Sequence, residues 1–157
     1  ECQSETDFVS TNELFLEFAK KTLDISLKAN VKTLDEVLNL PFDNSQTVEQ
    51  ARQALVGKVG ENIRISRYQL LQTANQVGLY VHKGFYGCLV ELKGANPDVA
   101  KDIAVHVVVS HPANVSELLK QDFYKDPSKT VAAYLKDNQS EVLQYVYFVL
   151  GNTNNEG

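Results

Sequence analysis

Apolar and polar positions recur along this chain with two different periods, and the change falls near residue 61. In the first half, Leu14, Phe15, Phe18, Thr22 and Ile25 follow one another at three- and four-residue steps, with Lys20, Lys21, Asp24 and Lys28 elsewhere on the wheel. That spacing predicts an amphipathic helix over about 10–29. Ser10 with Glu13 is a capping-box candidate for its start, and Thr6 is the alternative N-cap if the helix begins earlier. Thr33 with Glu36 opens a short second helix that stops before Pro41. Thr47 with Gln50 opens a third, with Val48, Ala51, Leu55, Val56 and Val59 on one side and Gly60 as its C-cap.

From Glu61 the alternation shortens to two residues. Ile63 and Ile65 alternate with Arg64 and Ser66 through "ENIRISRYQLLQ", the pattern of a half-buried strand. "GLYVHKGFYGCLVELKG" reads as two strands joined around Lys83-Gly84, where glycine supplies the positive φ of a tight hairpin. "NPDVAKDIAVHVVVSHP" is a helix, with Pro97 in its first turn and Pro112 at its end. "DPSKTVAAYLKD" gives a short helix and "SEVLQYVYFVLG" a last strand. Helices segregated from hairpin-linked strands define an α+β protein. The polar segment "LQTANQVG" divides it into two small subdomains, 1–75 and 76–157, each with antiparallel strands packed against helices.

Composition narrows the function classes. With 157 residues, 43% of them hydrophobic, the chain can bury a sizeable core or two small ones. A net charge of −5 leaves no basic excess to hold a nucleic-acid backbone, so direct nucleic-acid binding is not expected. No apolar run reaches membrane-spanning length, and no membrane partner is expected. Two distant cysteines, Cys2 and Cys88, suggest a reducing compartment rather than a disulfide framework. The sequence contains no methionine, even at its start, which suggests a processed or trimmed N-terminus.

Catalytic equipment is sparse. A Gly-rich phosphate loop followed by Lys and Ser/Thr is missing, as is a Gly-x-Ser-x-Gly elbow. His106 and His111 are five apart, which breaks the i, i+4 facing of a zinc helix, so neither a metal nor a cofactor is expected. Cys88 and His82 could make a thiolate and base only across a hairpin turn with no orienting acid, and the simpler reading puts Cys88 in the core. These negatives point to a protein that acts by touching another one.

Five strings, in order along nearly the whole chain, carry a resemblance. "CQSETDFV" resembles the Thr-Asp-Phe-Val signature of the elongation factor Ts family. "LVGKVGENIRISR" is similar to that family's Lys-x-Gly-Glu-Asn segment, here Lys58, Gly60, Glu61 and Asn62. "YVHKGFYGCLVEL" matches its Tyr-x-His-x-Gly hairpin at Tyr80, His82 and Gly84, and "VAKDIAVHVVVSHP" its following helix with His106. "DPSKTVAAYLKD" and "VYFVLG" resemble its last helix and strand. The resemblance implies a translation elongation factor core, a guanine nucleotide exchange factor for the GTPase elongation factor Tu, with no chemical active site. Family members carry a helical domain and further strands ahead of this region. Many bacterial members also insert a long helical hairpin where this chain has only "ANVSELLKQDFYK", so the resemblance is nearer the mitochondrial branch. It implies the mitochondrial matrix or another organelle of bacterial descent, with the bacterial cytoplasm as the alternative.

The same resemblance marks Thr6, Asp7, Phe8 and Val9 as partner-binding, Phe8 wedging between helices of the GTPase and Asp7 disturbing the groups around its magnesium. Without it, Phe8 would be read as a hydrophobic staple under the following helix, and Asp7 as favouring the positive end of the helix dipole. Val59 and Gly60 match a second contact region, although a C-cap glycine is the ordinary explanation. His82 is a polar contact candidate beside the hairpin tip, and His106 a weaker one on an otherwise apolar helix. Two rivals accompany the exchange reading: a scaffold or chaperone module that binds elongation factor Tu without exchange, and a small hydrolase using Cys88 and His82.

Overall fold

The computed structural model describes residues 1–94 and 96–151 as an α+β protein of two compact units, Glu1–Leu70 and Leu71–Gly157. The division falls at the start of the polar segment; the last part of the expected second subdomain, 152–157, lies outside the described residues.

The first unit runs β1 (Cys2–Ser4), α1 (Asp7–Ser10), α2 (Glu13–Ala29), α3 (Leu34–Asn39), α4 (Val48–Val59) and β2 (Ile63–Ile65). Strands β1 and β2 pair antiparallel, Cys2 opposite Ile65 and Ser4 opposite Ile63. Phe15, Phe18, Thr22 and Ser26 are the buried face of α2, and its two phenylalanines meet Val9, Val37, Val48, Ala51, Leu55 and Ile63 in one core. The pairs expected to open α3 and α4, Thr33 with Glu36 and Thr47 with Gln50, each form a capping box. Leu40, directly before Pro41, takes an extended conformation and ends α3, as the proline ring requires.

The start of α2 differs from the sequence expectation. Ser10 already belongs to α1, its N–H bonded to the Thr6 carbonyl at 3.2 Å and its hydroxyl to the Asp7 carbonyl, so it cannot cap. Asn12 caps instead, accepting from Leu14 N–H at 2.8 Å. Leu14, assigned by its spacing to the buried face, is exposed, as are Leu16, Leu23 and Leu27, while Ile25 is half-buried. Of the strand expected through "ENIRISRYQLLQ", only Ile63–Ile65 is paired.

The second unit runs β3 (Gln76–His82), β4 (Tyr86–Lys93), α5 (Pro97–Ser110), α6 (Val115–Lys120), β5 (Asp122–Phe123), β6 (Asp126–Thr130), α7 (Val131–Asp137) and β7 (Glu141–Val149). An antiparallel sheet in the order β3-β4-β7 packs one face on α5, where Cys88, Val90 and Leu92 meet Val99, Ile103, Ala104 and Val107. The predicted hairpin turns at Lys83 and Gly84, both at positive φ (52° and 73°), and with Phe85 they make the three-residue connection between the paired His82 and Tyr86. Gly78 lets α5 lie against β3: a Cβ there would stand 2.2 Å from the Ala100 carbonyl oxygen. The segment "DPSKT", expected to begin a helix, is strand β6 paired with β5; Thr130 then caps α7 through Ala133 N–H. Among the described residues, no helix is long and apolar enough to cross a membrane.

Candidate functional site

The antiparallel register of β1 on β2 sets opposite each other the residues that follow one strand and precede the next. Two of the signature strings therefore meet, although they lie more than fifty residues apart. Gly60 ends α4 in the left-handed conformation (φ 76°), its N–H bonded to the Val56 carbonyl at 3.0 Å. Glu61 follows, and its carboxylate reaches across to the turn after β1. Oε1 accepts from the N–H groups of Glu5 (3.1 Å) and Thr6 (3.0 Å), and Oε2 from the Thr6 hydroxyl (2.8 Å).

Thr6 is the N-cap residue of α1 by backbone conformation, but its side chain accepts no bond from that helix; its hydroxyl donates to Glu61 instead. The single turn closes through Thr11, whose N–H (3.2 Å) and hydroxyl (2.8 Å) both donate to the Asp7 carbonyl. Val9 points into the core and is 8% exposed. Its neighbour Phe8 points the other way and is 89% exposed. Asp7 is exposed too, and among the described residues its carboxylate has no hydrogen-bond or ion-pair partner.

The staple reading of Phe8 is thereby corrected, since Val9 supplies the apolar anchor and the phenyl ring stands in solvent. Burying a ring of that size is worth roughly 1.5–3 kcal/mol, so leaving it exposed forgoes stability that a fold-only role would have used. Two clefts lie along α2, one of about 220 Å³ lined by Phe18, Thr22, Leu23, Ser26 and Tyr68 among others. Neither is lined by Asp7 or Phe8, and with Phe8 89% exposed the pair forms a projection.

The other expected site residues are placed as follows. Val59 is half-buried against the first unit's core, and Gly60 beside it is exposed. In the second unit His82 is half-buried at the end of β3, its Nδ1 2.9 Å from the Tyr80 hydroxyl and its ring 6.2 Å from that of Tyr86. His106 is fully buried, so a surface contact by this side chain is ruled out by its packing. Its Nε2 lies 2.9 Å from Gln121 Oε1 and so carries the proton, while Nδ1 accepts from Tyr124 N–H at 3.3 Å. Burial pushes its pKa down, against the pull of Gln121, and the ring ties α5 to the β5–β6 hairpin. Cys88 is buried in β4 and its thiol is pushed up to about 12 by that burial, which removes the nucleophile from the hydrolase reading. Among the described residues there is also no group of three or more His, Cys, Asp or Glu side chains able to hold a metal ion.

Glu61 is the residue that sequence reasoning left out of the site. It was visible in the Gly-Glu-Asn string, but nothing local says that its carboxylate binds a turn so distant in sequence.

Comparison with known proteins gives the class. A model of the family described as elongation factor TS matches residues 5–118. The elongation factor Ts of Alcanivorax borkumensis is 33% identical, with 96% of this chain and 69% of that protein covered. That of Legionella pneumophila strain Lens is 32% identical over 96% of this chain and 67% of its own length. That of Xanthomonas campestris pv. campestris is 38% identical over 73% of this chain and 39% of its own length. These are translation elongation factors. The chain belongs to the elongation factor Ts family. The first two alignments run over 196 positions against a chain of 157, so those bacterial relatives carry residues that this chain lacks.

Proposed function

We propose that this chain is a guanine nucleotide exchange factor for elongation factor Tu and that the projection formed by Asp7 and Phe8 carries the exchange. The observation that carries the reading is the 89% exposure of Phe8 on a turn anchored from both sides, next to an exposed carboxylate with no partner of its own. A projecting ring can enter the partner between helices, and the partner then covers the surface that this fold leaves open. Asp7 beside it brings negative charge toward the groups that hold the partner's magnesium.

Magnesium requires near-octahedral oxygen ligands and bridges nucleotide phosphates, so a small displacement of its shell weakens nucleotide binding sharply. Linkage requires that a factor weakening GDP by some amount be itself weakened by GDP to the same extent. A thousandfold effect is about 4 kcal/mol. One buried ring supplies roughly 1.5–3 kcal/mol of that, and the remainder comes from a few neighbouring contacts. Val59 and Gly60 are the nearest candidates, because Glu61 ties the end of α4 to the same turn; His82 contributes from the second unit. His106 is not assigned to this surface. No covalent bond is made in this chain, and neither metal nor cofactor enters.

The compartment is one with bacterial-type translation. The bacterial relatives favour the bacterial cytoplasm, and the short 113–125 segment favours the mitochondrial matrix. The test of function is the release rate of fluorescent GDP from elongation factor Tu as this chain is added. Exchange predicts acceleration that saturates; binding without acceleration replaces it with the scaffold reading.

A further inference from the structure

We propose that Glu61 is the positioning residue of the exchange surface: its carboxylate holds the Glu5-Thr6 turn so that Asp7 and Phe8 are presented already ordered to the GTPase. This rests on the exchange reading above and adds to it the device that makes the projection competent.

A helix of one turn does not hold itself together in water, because several backbone dihedrals are fixed for each hydrogen bond gained. Here the turn is fixed at two points. Val9 enters the core at one side, and three bonds from Glu61 hold the other, at Glu5 N–H, Thr6 N–H and the Thr6 hydroxyl. Asp7 and Phe8 lie between these two anchors and are exposed. Thr6 reinforces the inference, since its hydroxyl serves Glu61 rather than the N-terminus of α1 where such a residue ordinarily caps. Bonds to an ionised acceptor are about twice as strong as neutral ones, which suits a clamp that lies at the surface. Glu61 is not part of the first unit's core, so its removal releases the turn without emptying packed space.

If the ordered turn falls to about one molecule in ten when the clamp is lost, apparent affinity for the partner falls about tenfold, because binding must then also order it. Once bound, the ring occupies the same place. Loss of the clamp therefore raises the concentration of chain needed for half-maximal GDP release and leaves the saturating rate nearly unchanged.

The experiment measures GDP release from elongation factor Tu across a concentration series of the full chain for wild type, Glu61→Ala, Glu61→Gln, Phe8→Ala and the Phe8→Ala/Glu61→Ala double variant. Amide hydrogen exchange is followed in the chain alone. For Glu61→Ala the half-maximal concentration rises about tenfold with the saturating rate within about twofold of wild type. Glu61→Gln restores most of this, because the amide oxygen still accepts both N–H groups and its NH₂ can donate to the Thr6 hydroxyl. In the Phe8→Ala background, Glu61→Ala adds little. The Glu5 and Thr6 amides lose protection while those of α2 and α4 keep it. A Glu61→Ala variant with unchanged half-maximal concentration, or an equal loss with and without Phe8, overturns the proposal while leaving the exchange reading in place. A wild-type chain that does not accelerate release overturns both.

Discussion

Replacing His106 by phenylalanine removes two ring nitrogens from the core of the second unit and very little else. The aromatic volume stays, and so does the stacking on Phe123, whose ring centroid lies 6.1 Å away. What is lost is the acceptor for Tyr124 N–H and the donor to Gln121 Oε1. An orphaned backbone N–H costs about 1–3 kcal/mol and a lost bond to the half-exposed Gln121 about 1 kcal/mol, so the variant should be destabilised by about 2–4 kcal/mol. Tyrosine near-UV dichroism in urea isolates this unit, because Tyr68 is the one tyrosine outside it among the seven. At a slope of about 2 kcal/mol per molar urea, the midpoint should fall by about 1–2 M. The pH dependence supplies a second readout. Burial holds the folded imidazole below its ordinary value of 6.5, so the unfolded chain takes up the proton first as the solution is acidified. The stabilisation due to neutral His106 is complete above about pH 6.5 and is lost as the pH falls from there through the lower folded value. The gap between wild type and variant should therefore narrow from pH 7.5 to 5.5. An unchanged midpoint at pH 7.5, or a gap that stays constant with pH, would refute a buried, neutral, doubly bonded imidazole.

Three further outcomes follow from the same geometry. Gly78→Ala drives a methyl group against the backbone of α5, 2.2 Å from the Ala100 carbonyl oxygen, and should lower the second unit's stability by about 1–3 kcal/mol in the same urea assay. Val9→Ala should destabilise the first unit by about 1–3 kcal/mol, whereas Phe8→Ala should stay within about 0.5 kcal/mol of wild type, a contrast that amide exchange in α2 would report. Cys88, buried with its thiol pushed up to about 12, should resist a thiol reagent in the native protein, and Cys2, pushed up to about 11 by burial, should react slowly. Blocked protein should keep its exchange activity; loss of activity would return the thiol to the chemistry.

The elements that could be read directly from the sequence are those whose determinants lie close together in the chain. The Lys83-Gly84 hairpin, the Asn96-Pro97 start of α5 and the two capping boxes are each specified within a few residues, and each formed. Strand β6 was hidden because Asp126-Pro127-Ser128 looks like a helix start, and its true partner is β5, whose pairing sets Asp122 opposite Thr130. Leu16, Leu23 and Leu27 illustrate a different gap: hydrophobicity chose the helix correctly, but the face it buries was fixed by where Val37, Leu55 and Ile63 came to lie.

The candidate site shows the same division. The string Thr6-Asp7-Phe8-Val9 presents two neighbouring apolar residues, and either could anchor the turn; only the register of a one-turn helix decides that Val9 enters the core and Phe8 the solvent. That register is held in part by Glu61, a contact across more than fifty residues that no local pattern encodes. His106 failed as a surface candidate for the converse reason, since an isolated histidine on an apolar helix is satisfied by partners from a hairpin further along the chain.

The most direct test of the account is the rate at which elongation factor Tu releases fluorescent GDP in the presence of this chain, compared with the Phe8→Ala variant at equal concentration. Burial of one ring worth roughly 1.5–3 kcal/mol predicts a loss of about ten- to a hundredfold in the acceleration, with the variant's thermal melt unchanged. Equal acceleration by the two proteins would contradict the account, because a large apolar side chain that the first unit leaves 89% exposed would then have no part in exchange.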